Sequence, residues 1–333
     1  MATLADVARH AGVAASTVSY VLSGKRSVSA ATRRRVERSI ELLDYHPHAG
    51  ARALASNRSS IIALVVPLRS DLYVPVMMEI AIAVTTTARR FGYDVLLLTN
   101  DEGAEGIRRV AISARADAMI LMDVSMDDER IPMLRDVSIG AVLIGVPADT
   151  SGLGCVDLDF AAAGGLCVGH LAGLGHREVA FLGEAAAVYQ RRSGFAERTL
   201  RGVMDEAAAR AVRVVHRPCE GSHEAAAATI TRILEDRPGT TGLIVQNEAV
   251  ISPLLSVLRT AGRIVPEEMS VVAICPDQAA ERTSPHLTSV AIPAQDIGRR
   301  AVELLARRLD DGAGSEVVLL PPRLTVRGST APA

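Results

Sequence analysis

The sequence predicts an all-α head, two short helices joined by a tight turn and then a third helix, followed by an α/β body built on parallel sheets. Three observations predict it. In the first 45 residues apolar side chains recur at helical spacing between capping residues and a glycine. From Ser59 onward, short apolar runs alternate with helical segments, the pattern of parallel sheets. Charge divides at the same place. Residues 1–60 carry nine Lys and Arg against four Asp and Glu, a head of +5 on a body of −7 in a chain of net charge −2. A basic end on an acidic body is the asymmetry expected when one end meets a polyanion.

The head is read from its caps. Thr3 with Asp6 forms a capping box, and Val7, Ala8 and Ala11 repeat on one helical face. Gly12 then stops the helix where positive φ costs little. A second helix is expected over 15–22, with Val18, Val21 and Leu22 inward and Ala15, Ser16, Ser19 and Tyr20 outward. Residues 23–26 form a loop. Ser29 caps a third helix over 30–43, with Val36, Ile40 and Leu43 inward. Arg33, Arg34 and Arg35 stand near its start, where they oppose the helix dipole. Phosphate contact explains them better than helix stability does.

The body reads as strands at 61–66, 94–99, 118–121, 140–144, 178–182, 212–215, 242–245 and 270–274, with helical segments between most of them. A helix over 75–91 carries Val76, Met77, Ile80 and Val84, more apolar residues than one core-facing stripe needs. The surplus points to a dimer surface. The length suits two α/β units, with passages between them at 155–160, 285–288 and 321–323. No run of eighteen apolar residues appears, and the first residues lack the pattern of a signal peptide, which sets a cytoplasmic, non-membrane expectation. The four cysteines (Cys155, Cys167, Cys219, Cys275) form no C-x-x-C pair, so no metal or redox dithiol is expected.

Three stretches identify a family. They are T-L-x-D-V-A-x-x-A-G-V-x-x-x-T-V-S over 3–19, V-S-x-x-T-R over 28–33, and Y-x-P-x-x-x-A-R-x-L over 45–54. They resemble the lactose-repressor (LacI/GalR) family. Further similar pieces are the L-G-H-R of 174–177, the R-R-S-G-F of 191–195, residues 262–272, and residues 322–330. The resemblance implies a helix-turn-helix headpiece over 1–46 and a hinge helix and linker over 47–58. It implies a periplasmic-binding-protein-like effector domain over 59–333, with two Rossmann-like subdomains and three crossovers. The N-subdomain would take about 59–157 and 289–320, and the C-subdomain about 158–288 and 321–333. On this resemblance the DNA-binding residues are Thr3, Ala15, Ser16, Thr17, Ser19, Tyr20, Arg33, His48, Arg52 and Leu54. Leu54 matches a leucine wedged into the minor groove, where an inserted apolar side chain unstacks a base step and bends the duplex. Ala15 and Ser16 replace the long polar side chains frequent in the family, and Tyr20 stands where Arg or His is common. Base preference therefore does not transfer from relatives.

Ligands of open α/β sheets bind beyond the carboxyl ends of strands. Position and resemblance together give Asp71, Tyr73, Asp123, Phe160, Arg191, Asn247 and Cys275 as effector-cleft residues. Arg191 also fits a structural ion pair, and Asp123 an ordinary turn. Cys275 stands where sugar-binding relatives place Asp, and a thiol cannot accept two hydroxyl hydrogen bonds as a carboxylate does. The chain has no Trp and only 3% aromatic residues, so stacking platforms for a sugar ring are few. No phosphate-binding glycine loop, nucleophile elbow or zinc-hydrolase motif is present, and no cofactor is implied. The expectation is therefore a sequence-specific transcriptional regulator of the repressor type and not an enzyme. Its partners would be palindromic double-stranded operator DNA, a second copy of itself, and a small-molecule effector, a sugar or another metabolite. A transporter's solute receptor and a regulator governed by a partner protein are the alternatives.

Overall fold

The computed structural model describes residues 2–23, 26–45, 58–66, 69, 74–99, 103–113, 115–137, 139–312 and 315–333. The head begins with α1 (Leu4–Ala11). The Thr3 hydroxyl accepts from the Asp6 N–H at 3.3 Å, and the Asp6 carboxylate accepts the Thr3 N–H at 2.9 Å, closing the capping box. Gly12 ends the helix at φ 62°, in the left-handed region. After α2 (Ala15–Ser23), Ser29 caps α3 (Ala30–Leu42) by accepting from Thr32 N–H at 3.3 Å. Val7, Ala8, Ala11, Val18, Val21, Val36 and Tyr45 form the head's own core. Leu22 is a correction. It is 37% exposed, because Val18 and Val21 already occupy the inner face of α2 and the next residue turns to its rim.

The body contains two six-stranded sheets. The first comprises β1 (Ile61–Val65), β2 (Asp94–Leu98), β3 (Ala118–Leu121), β4 (Gly140–Ile144), β5 (Gly154–Leu158) and, from far along the chain, β11 (Val317–Leu320). Its order is β11-β5-β4-β3-β1-β2, all parallel. The second comprises β6 (Glu178–Gly183), β7 (Arg213–Pro218), β8 (Gly242–Val245), β9 (Ser270–Ile274), β10 (Thr288–Val290) and β12 (Leu324–Thr325). It is ordered β12-β10-β9-β8-β6-β7, parallel except for β12. Central strands are buried on both faces, which is why they read as unbroken apolar runs. The edge strand β11 alternates in burial, and no residue of the edge strand β2 is fully buried.

The chain passes from the first sheet to the second after β5, through the helix Phe160–Gly173. It returns after β10, through 291–293 into the helix Ala294–Asp311, and crosses again through 321–323 to β12. The return thus lies later than the 285–288 read from the sequence. Thr288 and Ser289 still pair with β9 and are fully buried. Their polar groups are satisfied internally, Thr288 N–H by the Ser329 hydroxyl at 2.8 Å and the Ser289 hydroxyl by Arg327 at 2.7 Å. A strand whose first two residues are hydroxylated does not look apolar in sequence.

Helix packing explains the surplus apolar residues of the helix Val74–Arg90. Val76, Ile80 and Val84 are buried within the chain, because the helix lies against Ala294–Asp311. There a Cβ on Gly298 would come within 2.7 Å of Ala83 Cβ. The stripe left exposed is instead Val74, Met78 and Ile82, at i, i+4 and i+8. In the second half, the helices Phe160–Gly173 and Gly194–Ala209 approach so closely that a Cβ on Gly202 would lie 1.9 Å from the Ala161 carbonyl oxygen. Overpacking of this kind typically costs 1–3 kcal/mol. Gly202→Ala is expected to destabilise the protein by about 1–3 kcal/mol in chemical denaturation; an unchanged midpoint would mean the two helices are not held at this distance.

Candidate effector cleft and DNA-binding face

The outer face of the head presents Ala15 and Ser16 exposed, with Thr17, Ser19 and Tyr20 half-buried beside them. The Arg26 guanidinium carbon sits 5.4 Å from the centre of the Tyr20 ring, within cation–π range. This contact orients the phenol, and no local sequence pattern reveals it because it joins α2 to the segment before α3. Arg33, Arg34, Arg35 and Arg38 are exposed on α3. Thr3 is exposed, with its hydroxyl 2.6 Å from the Asp6 carboxylate, so its first role is to cap α1. His48, Arg52 and Leu54 lie outside the described residues.

A cavity of about 110 Å³ lies between the two sheets, at the carboxyl ends of their strands. From the first half, β3 leads into Met122, Asp123 and Val124, β4 into Gly145, and β5 brings Asp157. From the second, β6 leads into Glu184, β8 into Gln246 and Glu248, and β9 ends at Ile274. Phe160 and Phe195 form a tilted pair on its wall with centroids 5.6 Å apart. Gly145 adopts φ +123°, and a Cβ there would lie 2.7 Å from Val124 Cβ, so only glycine fits this part of the wall. Asp123 sits at φ 52°, a left-handed conformation that Asp tolerates better than most residues.

Backbone contacts join the two halves beside the cavity. Met126 N–H donates to the Arg192 carbonyl at 2.8 Å, and Gly194 N–H to the Val124 carbonyl at 3.0 Å, framing an antiparallel bridge between Ser125 and Ser193. Arg198 donates to the Val146 and Pro147 carbonyls at 3.0 and 3.1 Å. Arg192 pairs with Asp127, and its Nε lies 3.1 Å from Glu197. Behind the cavity, apolar residues of both sheets form one contiguous core.

The polar equipment of the cavity is chiefly carboxylate. Asp123 pairs with Arg69. Burial pushes the Asp157 carboxyl up to about 7, against the pull of the Leu158 N–H and the Arg198 charge. Burial likewise raises the Glu248 carboxyl. The Gln246 amide donates to Thr199 at 3.0 Å, and its Oε1 is buried without a partner. Among the described residues no group of three His, Cys, Asp or Glu could hold a metal ion, and no helix is long and apolar enough to cross a membrane.

Of the cleft residues read from the sequence, Asp123 and Phe160 line the cavity. Asp71 and Tyr73 lie outside the described residues. Arg191 is not on the wall, and its guanidinium donates to the Ala187 carbonyl at 3.3 Å within its own short helical turn. Asn247 is nearly buried and committed on both sides, donating to Cys219 O at 2.7 Å and accepting from Ala249 N–H at 3.0 Å. Cys275 is a correction. Its side chain is fully buried in the apolar cluster on the other face of the second sheet, and Ile274 lines the cavity instead. One residue further along a strand turns the side chain to the opposite face. Asp157 was missed because it sits inside the apolar run G-C-V-D-L, where a lone carboxylate is the only signal. Glu184 and Gln246 carry no motif, though each directly follows a strand.

Comparison with known proteins identifies the class and then the family. Residues 3–48 match the model for bacterial regulatory proteins of the lacI family, and residues 168–330 match a periplasmic binding protein-like domain. The HTH-type transcriptional regulator CelR of Thermobifida fusca is 30% identical over 339 residues, covering 98% of each chain. Among solved structures, a CelR–cellobiose complex aligns with TM-score 0.70 at 26% identity, over 99% of this chain and 100% of that one. The lac repressor dimer bound to operator and the anti-inducer ONPF aligns with TM-score 0.84 at 23% identity, over 99% of both chains. These findings define a DNA-binding transcriptional regulator rather than an enzyme. The chain belongs to the lacI family.

The buried Asp157 sets a pH dependence. Between about pH 4 and pH 7 the folded protein keeps a proton that the unfolded chain releases, so this residue's contribution to stability falls as pH rises through that window. Arg198 and Asp159 are the charges that bear on it. Asp157→Asn removes the cost of the buried anion. It is expected to stabilise the protein by about 1–3 kcal/mol at pH 8, with a smaller gain at pH 5. Equal effects at both values, read from denaturation curves, would mean that Asp157 titrates as an exposed carboxylate.

Proposed function

We propose that this regulator represses transcription as a cytoplasmic homodimer on a two-fold-symmetric operator, under control of a small molecule held in the cleft. The observation that carries this reading is a basic helical head with an open α2 face on the same chain as two sheets that close on a cavity. Residues 1–46 act as the DNA-binding head, 47–58 as the hinge and 59–333 as the effector and dimerisation body. Ala15, Ser16, Thr17, Ser19 and Tyr20 face base edges, where Ala15 offers only apolar contact and Tyr20 one hydrogen bond. Thr3 and Arg33 contact phosphates. His48, Arg52 and Leu54 act at the minor groove, with Leu54 as the wedge.

Dimerisation uses the exposed stripe Val74, Met78 and Ile82. The lac repressor, which shares the fold, is a dimer on its operator. The effector is a sugar or another metabolite, a reading supported by the cellobiose held by CelR. Asp123 and Phe160 are the cleft residues carried forward from the sequence, and Asp157, Gln246 and Glu248 join them. The ligand acts by binding one cleft pose more tightly than the other, which shifts the spacing of the paired heads.

Selection from random duplex is expected to return an inverted repeat, and Tyr20→Ala to change the preferred base at one symmetric pair of positions. Loss of affinity spread evenly over all sequences would give Tyr20 a phosphate role. No preference for any symmetric site would overturn the proposed function.

A further inference from the structure

We propose that the cleft takes a small organic cation: an ammonium on a compact apolar or polyhydroxyl body, gripped by Asp157 and Glu248 from opposite halves, with Gln246 Oε1 completing the shell. This deepens the effector reading and rests on it.

The argument starts from what the wall offers. Among the described residues, the polar side chains lining the cavity are Asp123, Asp157, Glu184, Gln246 and Glu248. All of these offer acceptor oxygens: the Gln246 amide nitrogen donates to Thr199, and the protons that the raised Asp157 and Glu248 carboxyls keep are ones an amine takes up on binding, leaving carboxylates opposite an ammonium. Among the described residues no Arg, Lys, His, Asn, Ser, Thr or Tyr side chain lies on that wall. A neutral sugar asks for donors as well as acceptors, since its ring and hydroxyl oxygens carry lone pairs. An ammonium asks for acceptors only.

Charge points the same way. Asp123 already has Arg69. Asp157 and Glu248 have no Arg or Lys in ion-pair contact among the described residues. Arg198, whose charge reaches Asp157, donates through Nη2 to the Val146 and Pro147 carbonyls rather than to the carboxylate, and its Nε is buried without a partner. Burial outweighs the Arg198 charge at Asp157, and it raises Glu248 as well. Gln246 gives a second, independent observation. The residue is only 2% exposed, it lines the cavity, and its carbonyl oxygen has no partner. A buried acceptor left without a partner opposes folding, and a donating ligand would recover that cost. Phe160 and Phe195 complete a wall that accepts the apolar side of an amine and presents ring faces to a cation.

Thermal denaturation of the full-length protein with matched probes tests this: cyclohexylamine against cyclohexanol, and glucosamine against glucose. At saturation at least one amine is expected to raise the wild-type midpoint by about 2–4 °C while its hydroxyl counterpart does not. Glu248→Gln and Asp157→Asn, each compared with its own unliganded midpoint, are expected to lose at least half of that shift. A hydroxyl probe matching or exceeding its amine, with the shift lost in the variants, overturns the cation assignment and leaves the effector cleft standing. An amine shift unchanged in both variants overturns the assignment as well. No response to any of the four probes overturns both readings. The contrast between amine and hydroxyl is read on the wild-type protein, so it holds even where a variant fails to fold.

Discussion

Two backbone hydrogen bonds set the pose of the body: Met126 N–H to the Arg192 carbonyl and Gly194 N–H to the Val124 carbonyl. They join the loop that follows β3 to the segment that opens the helix Gly194–Ala209, one from each half. Because they form between main-chain groups, they impose a register between the halves that side chains alone would not. Val124 then lies on the cavity wall beside Gly145, and Phe195 follows directly on the bonded segment. Asp157, Gln246 and Glu248 lie on the wall of the cavity that this rim borders.

The energetic logic of the cleft is one of deferred satisfaction. A buried acceptor without a partner and carboxyls held up by burial both oppose closure of the empty cavity. A ligand that satisfies them favours the closed pose over the open one by its difference in affinity, which is the quantity that a regulator transmits.

Much of this architecture could be read from the chain. The Thr3–Asp6 box, Gly12 and the Ser29 cap are local devices whose chemistry is visible at short range, and they stand as read. The central strands were legible because burial on both faces makes them uniformly apolar. Thr288–Val290 was not, since its hydroxyls are satisfied by Ser329 and Arg327 from a distant part of the chain. The same limit governs the site. Cys275 was expected in the cleft from its place after a strand, but one step of strand alternation sends it to the opposite face and brings Ile274 inward. Asp157 reveals itself only when the second half of the chain covers it. Val76, Ile80 and Val84 suggested an interface until the helix Ala294–Asp311, more than 200 residues onward, was seen to cover them.

The claim that closure of this rim controls DNA binding is tested most directly by locking it. Ser125 and Ser193 face each other as a non-hydrogen-bonded antiparallel pair. Such pairs have Cα atoms about 4.5 Å apart, within the range a disulfide spans. The four native cysteines are buried and free. In the double variant Ser125→Cys with Ser193→Cys, operator affinity measured before and after reduction is predicted to differ by about tenfold or more, a difference of roughly 1.4 kcal/mol. Equal affinity in the oxidised and reduced states, with the disulfide verified, would contradict the account.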